Sequence, residues 1–343
     1  MKKIGIVTIY DLSNYGNRLQ NYAVKKVLGK VYDGTVKEMN TVNHFLVLKN
    51  FIQYRGSSYK RMLKFYRFSS GSRDVEYLSN YKDKEYDWII CGSDQLWNPY
   101  WAGNDFMFAT FAAKEKRIAY AASFGVSEIP EEKKKQYTKY LSEMDAISVR
   151  EEAGAKIVKE LTGRDVEVLI DPTLMLDKSD WVSVARKPKQ FRKRHYIMTY
   201  FLGEIPSEYK EYIIKVAKEM ECEIINLEQE NKNNYWNSVG PAEFIWLIEH
   251  CKLLCTDSFH GSIFSILMEV PFIVFDRKSN IGTMGSRIDT LLKNFQLEDR
   301  KYNNESTEKI LNVNYSNIPM ILKEERKKAY DFLRKAIQKE NNY

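Results

Sequence analysis

Apolar and polar positions alternate along this chain in blocks. Ile4-Gly5-Ile6-Val7-Thr8-Ile9-Tyr10 is an apolar, β-branched run, the pattern of a buried strand. Asp11 to Gly16 is turn chemistry. Asn17 to Leu28 then places Leu19, Ala23 and Val27 on one helical face, with Gly29 as the stop. The same alternation continues with strands at Asp87–Cys91, Arg117–Ala122, Ala146–Val149 and Val166–Ile170, and helices at Glu131–Met144 and Glu151–Leu161. A charged stretch with Pro188, Lys178 to Arg194, reads as a linker. A second series follows, with strands at Tyr196–Phe201, Glu223–Leu227, Lys252–Cys255 and Phe272–Phe275. Its helices fall at Ser207–Met220, Pro241–Glu249, Gly261–Met268 and Arg287–Phe295. A basic helix, about Ile318 to Lys339, ends the chain. Strands alternating with helices predict an α/β fold with parallel sheets covered on both faces. The expected arrangement is two Rossmann-like domains facing a cleft, residues 1–180 and 195–317, with 318–343 packing back across both.

With 343 residues, 44% hydrophobic, the chain is long for one core, which agrees with two domains. The charge of +7 is spread along the sequence: it suits anionic small molecules or an anionic membrane surface and gives no case for nucleic acid. Residues 41–75 depart from the rest, because Lys49 to Phe68 interleaves Lys and Arg with Phe and Tyr. They read as a solvated helical insertion over the cleft or as a peripheral membrane contact. Cys91, Cys222, Cys251 and Cys255 sit in apolar runs without metal-ligand spacing, so reduced thiols and no structural metal are expected. The opening lacks a signal-peptide pattern and no apolar stretch is long enough to span a bilayer, so the expected location is cytoplasmic, free or at the inner face of the membrane.

Ligands of open parallel sheets bind beyond the carboxyl ends of the strands. That rule selects Asn14–Asn17, Gly92–Asp94, Ser123–Gly125, Arg150, Asp171, Thr256–Gly261 and Arg277. In Thr256-Asp257-Ser258-Phe259-His260-Gly261 a strand meets a helix. Asp257 or Ser258 can cap it, its free N–H groups favour an anion, and His260 can donate a proton there. The alternative is a capped turn with a hydrogen-bonded histidine. Arg150 has the planar fork that suits carboxylate or phosphate, or it pairs with Glu151; Arg277 and Arg287 are further anion contacts. Gly92-Ser93-Asp94-Gln95-Leu96-Trp97-Asn98-Pro99 holds groups that grip a sugar, an Asp for hydroxyls and an aromatic face for the ring, or else it is a turn with a core tryptophan.

Gly92-Ser93-Asp94-Gln95-Leu96-Trp97-Asn98, Tyr120-Ala121-Ala122-Ser123-Phe124-Gly125, Ser148-Val149-Arg150-Glu151, Asp171-Pro172-Thr173-Leu174 and Thr256-Asp257-Ser258-Phe259-His260-Gly261 occur in that order. This ordered set resembles the polysaccharide pyruvyl transferase family, from Asn14-Tyr15-Gly16 to about Arg300. The resemblance implies a GT-B-like fold with the acceptor on the first domain and the donor on the second. It implies phosphoenolpyruvate as donor substrate, no cofactor, and a sugar hydroxyl pair as acceptor, giving a cyclic pyruvate ketal on a surface glycan or its precursor. It makes His260 and Arg150 catalytic. Asn17, Gly92, Ser93, Asp94, Ser123, Asp257, Ser258, Gly261, Arg277 and Arg287 are the candidate substrate contacts. Asn17-Arg18 is bulkier than the resemblance leads one to expect, so Arg18 either faces solvent or marks a different acceptor. A nucleotide-sugar glycosyltransferase or epimerase of the same fold and a non-catalytic glycan-binding protein are the competing readings.

Overall fold

The computed structural model describes residues 3–40, 57–69, 75–189, 191–192, 195–227, 238–277 and 285–337. Seven strands form one parallel sheet: β1 (Lys3–Val7), β2 (Thr35–Asn40), β3 (Val75–Tyr77), β4 (Trp88–Cys91), β5 (Arg117–Ala122), β6 (Ala146–Val149) and β7 (Glu167–Val168), in the order β3-β2-β1-β4-β5-β6-β7. Four more form a second parallel sheet: β8 (Tyr196–Tyr200), β9 (Glu223–Asn226), β10 (Leu253–Thr256) and β11 (Phe272–Val274), in the order β11-β10-β8-β9. Strands β2 and β3 were not expected from the sequence. Polar residues dilute the apolar pattern of Thr35–Asn40, and Val75–Tyr77 is a short edge strand.

The helices are α1 (Tyr15–Val31), α2 (Ser57–Ser69), α3 (Glu131–Ser142), α4 (Glu152–Thr162), α5 (Lys178–Val184), α6 (Ser207–Glu219), α7 (Pro241–His250), α8 (Phe259–Met268), α9 (Ser286–Asn294), α10 (Thr307–Leu311) and α11 (Ile318–Ile337). Helix α1 runs through Gly29, where a side chain would meet open space, so nothing there needs the glycine stop expected from the sequence. The supposed linker opens with helix α5, whose Trp181 is fully buried against Phe264.

Strand alternation divides the core into layers. Ile89 and Cys91 face one cluster with Tyr137 and Leu141 of α3 and Ile157 of α4. Trp88 and Ile90 face another, which continues through α1, α7, α8 and α11 to Tyr196, Met198 and Tyr200 of the second sheet. Ile197 and Phe201 point to a third cluster with Tyr212 and Ile213 of α6. The middle layer therefore belongs to both sheets, and it brings the amino termini of α1 and α8 together.

Helix α2 is not a solvated insertion. Its Phe65 is fully buried and packs on Tyr15, which itself stacks on Phe244 of α7 at 4.4 Å. Arg61 lies over the Tyr15 ring and donates to Ser13 O, while Lys64 pairs with Glu243 at 2.5 Å. The rest of the basic-aromatic stretch, 41–56 and 70–74, lies outside the described residues. Among the described residues no helix is long and apolar enough to cross a membrane.

Candidate active site

The site is assembled from loops at the carboxyl ends of β4, β6 and β7 and from the first turns of α1, α8 and α9. Asn14 caps α1, accepting from Asn17 N at 3.2 Å. Ser258 caps α8, accepting from Gly261 N at 3.3 Å. The second helix begins at Phe259, two residues before the start expected at Gly261, so His260 belongs to its first turn. Gly261 must lack a side chain, because a Cβ there would meet Thr256 Oγ1 at 2.7 Å. Gly16 meets the same need on α1, where a Cβ would stand 2.1 Å from His260 Nδ1. The imidazole is thus laid against the opening turn of α1.

On its other side, His260 Nε2 lies 3.6 Å from Asp171 Oδ2, within ion-pair range and beyond hydrogen-bond length. Asp171 is fully engaged. Its Oδ2 accepts from Arg150 Nη1 at 2.5 Å and Ser93 Oγ at 3.0 Å, and its Oδ1 from Thr173 N at 2.9 Å. Burial opposes ionisation of Asp171, but the charges of His260 and Arg150 outweigh it and hold the carboxyl far below its ordinary range. Asp94 is governed in the same way: burial is the largest influence, and the charges of Arg150, His260 and Arg287 overcome it to lower the carboxyl. Asp94 Oδ1 lies 3.7 Å from Arg150 Nη2, and its Oδ2 accepts from Asn17 Nδ2 at 3.2 Å. The Asp94 backbone has φ of 79°, a left-handed conformation that costs a non-glycine residue about 1–3 kcal/mol and is held by the surrounding contacts.

Two buried guanidinium groups share one aromatic ring. Arg150 sits 4.3 Å from the Phe259 centroid and Arg287 sits 5.7 Å from it. Three acidic neighbours, Asp171, Asp94 and Glu151, offset the burial of Arg150 and raise its pKa. Arg287 differs. Among the described residues no carboxylate forms an ion pair with it, and burial followed by the charge of Arg150 lowers it to about 10. With the Gln95 amide oxygen turned towards it, Arg287 Nη1 and Nη2 donate at 2.7 and 2.5 Å. Arg287 Nε, Arg150 Nε, Arg150 Nη2 and His260 Nε2 are buried and have no hydrogen-bond partner among the described residues. Arg287 also lines an open pocket of about 310 Å³ with Asp257, Arg277, Phe275 and Ile288, which gives it a route to solvent.

The geometry thus gathers Ser93, Arg150 and His260 around Asp171, with Asp94 and Arg287 beside Arg150 and Asn17 bonded to Asp94. Others stand apart or are already committed. Ser123 Oγ donates to the fully buried Glu151 at 3.0 Å, as do Phe124 N and Gly125 N. Asp257 accepts from Leu202 N, Gly203 N and Arg277 Nε, which makes the Asp257–Arg277 pair part of the pocket wall. Gly92 lets the chain pass close to Val7 O. Trp97 offers no face to a sugar: it is fully buried and stacks on Phe108 at 5.0 Å. Arg18 does not face solvent. It is fully buried, lies over the Tyr10 ring and donates to Ile9 O, so it holds the β1–α1 turn.

A family model described as polysaccharide pyruvyl transferase matches residues 14–279, a span that holds every residue of the cluster except Arg287. The chain belongs to the polysaccharide pyruvyl transferase family. Comparison with curated proteins gives no match. Solved structures show the fold. The wall teichoic acid polymerase TagF aligns at 10% identity over 99% of this chain and 90% of that one, with a TM-score of 0.51. UGT89C1 from Arabidopsis thaliana, complexed with UDP-L-rhamnose, aligns at 11% identity over 98% of each chain, with a TM-score of 0.50. The UDP-GlcNAc 2-epimerase from Neisseria meningitidis aligns at 12% identity over 98% of each chain, with a TM-score of 0.49. At these identities the likeness is one of architecture: this pyruvyl transferase family member has two parallel sheets in a GT-B-like arrangement.

Within that frame, sequence reasoning missed Gly16, Gln95, Glu151, Phe259 and Asp171 as parts of the site. The strand-end rule points to Asp171 but gives it no role. That rule also spans Gly16 and Phe259 without giving them a role, and the contacts of Gly16 with His260, Gln95 with Arg287 and Glu151 with Ser123–Gly125 join residues of different elements, for which the linear sequence carries no signal. Among the described residues no cluster of three His, Cys, Asp or Glu side chains is placed to hold a metal ion.

Proposed function

We propose that the chain transfers the pyruvyl group of phosphoenolpyruvate to a pair of sugar hydroxyls as a cyclic ketal. The observation that carries this reading is the buried pair Arg150 and Arg287 on Phe259, with unbonded N–H groups and, among the described residues, no carboxylate in ion-pair contact with Arg287, beside His260. A buried cation without a counter-charge is costly unless a ligand supplies the charge. The first turns of α1, α8 and α9 add positive dipole ends at the same place. Phosphoenolpyruvate brings a carboxylate and a phosphate, the two groups that such forks bind.

In the proposed reaction His260 gives a proton to the methylene carbon of the enol, which becomes the methyl group. The neighbouring carbon becomes electrophilic, and one sugar hydroxyl attacks it. The C–O bond to phosphate breaks and a second hydroxyl closes the ketal. Of the two hydroxyl protons released, one restores His260 and the other leaves with phosphate. Asp171 orients the imidazole, and Asp94 orients or deprotonates the acceptor. The scheme asks nothing of a cofactor. A lipid-linked acceptor would place the enzyme at a membrane surface.

Thermal unfolding with phosphoenolpyruvate tests the donor. Ligand at a hundred times its dissociation constant should stabilise by about 2.7 kcal/mol. Arg287→Met should leave the ligand-free protein at least as stable as wild type and erase that shift, since it removes a buried charge whose burial outweighs the attraction of its acidic neighbours. A shift with UDP-sugars and none with phosphoenolpyruvate would overturn the assignment.

A further inference from the structure

The loop that carries Asp94 continues into a feature the donor site does not use. Trp97 anchors the loop in the core, its indole N–H donating to Met107 O at 3.2 Å. The chain then turns outward and presents two consecutive aromatic side chains, Tyr100 at 56% exposure and Trp101 at 55%. Of the large hydrophobic residues exposed among the described positions, they are the only adjacent pair. The turn beneath them is firmly built. Ala102 N donates to Asn98 O at 3.1 Å, Gly103 N to Leu96 O at 2.8 Å and Tyr100 N to Asn98 Oδ1 at 3.0 Å. Lys133 of α3 holds Pro99 O, and Gly103, at φ 69°, packs so closely on Tyr137 that a Cβ would meet its hydroxyl.

This loop leaves the carboxyl end of β4, the same edge from which Ser93 and Asp94 reach the site. Tyr100 lies six positions after Asp94, which bounds their Cα atoms to within about 22 Å. The bonds from Leu96 N to Asp94 O and from Gly103 N to Leu96 O fold the loop back and shorten that span. The two rings therefore stand exposed on the same loop as Asp94, beyond the carboxyl end of β4.

We infer that Tyr100 and Trp101 are a stacking platform for pyranose rings of the acceptor glycan, next to the sugar that receives the pyruvyl group. A pyranose presents C–H groups on its faces and hydroxyls at its edge. An aromatic ring covers the former, while the phenol O–H and indole N–H reach the latter. Such a platform would favour a chain of sugars over a single one. The inference rests on the acceptor reading of the Asp94 loop.

The test uses surface polysaccharide isolated from cells lacking the gene for this chain, and oligomers cut from it by mild acid. Binding is measured by calorimetry for wild type, Tyr100→Ala, Trp101→Ala, the double variant and Trp101→Phe. Each alanine should weaken polymer binding by about tenfold, monosaccharide binding should change little, and phenylalanine should restore most of the loss. The shift in melting temperature with phosphoenolpyruvate should be the same in all five proteins. Wild-type affinity in the double variant, or no binding by wild type, overturns the platform. So does a change confined to sedimentation as a dimer, or to cosedimentation with phosphatidylglycerol vesicles, because the patch would then serve self-association or a membrane. Loss of polymer binding in the variants with no phosphoenolpyruvate shift in wild type would keep the platform and reject the donor assignment.

Discussion

Asp171 and Arg287 show how differently two buried charges in one site behave. Asp171 is surrounded by donors and cations, so removing its charge strands Arg150 and withdraws the partner of His260. Breaking a buried pair in this way costs about 3–5 kcal/mol. The pH dependence has a definite sign. A carboxyl whose folded pKa lies below its ordinary 3.8 contributes stability that is fully present above that value and is lost as pH falls towards the folded pKa. Asp171→Asn should therefore be less stable than wild type at neutral pH, with the gap narrowing below about pH 4. Urea unfolding from pH 7 to pH 2 measures this, and parallel curves across that range would contradict it. Arg287 has no carboxylate in ion-pair contact among the described residues, and burial outweighs the attraction of Glu151 and Asp94.

At the scale of elements, the site depends on two helix ends approaching without side chains in the way. Gly16 is the point of contact, since a Cβ would stand 2.1 Å from His260 Nδ1 and 2.5 Å from its Cγ. Gly16→Ala should displace the imidazole from its place between α1 and Asp171. An overpacked contact of this kind costs about 1–3 kcal/mol, whereas displacing a reacting group by about an ångström costs on the order of a hundredfold in rate. Turnover should thus fall far more than the urea midpoint. Equal turnover in Gly16→Ala and wild type would show that the ring has another resting position. The sequence shows Gly16 in a turn ahead of a helix, and only the meeting of α1 with α8 explains why it is glycine.

For the whole molecule, the middle hydrophobic layer decides cooperativity. It runs from Ile4 and Ile90 through Leu19, Phe244 and Phe264 to Met198 and Phe272, so neither sheet has that face covered without the other. Arg326 of α11 adds a polar tie, donating to Leu174 O at 2.7 Å and Leu176 O at 2.8 Å beside the Asp171 turn. Unfolding should therefore be one transition, with far-ultraviolet and near-ultraviolet dichroism coincident in urea. Two separated transitions would mean that the sheets are covered independently.

The sequence by itself determined the α/β class, most of the strands and helices, and the segments at the strand ends, because apolar periodicity and turn residues act over a few neighbouring positions. Ordered motifs also pointed to the family. What only the tertiary structure decided are the partners: Asp171 under both Arg150 and His260, Arg287 with no ion-paired carboxylate among the described residues, Trp97 and Arg18 inside the core, and Tyr100 and Trp101 outside it. Each depends on which distant surface a side chain meets, and burial and charge compensation are properties of that meeting, not of the residue type.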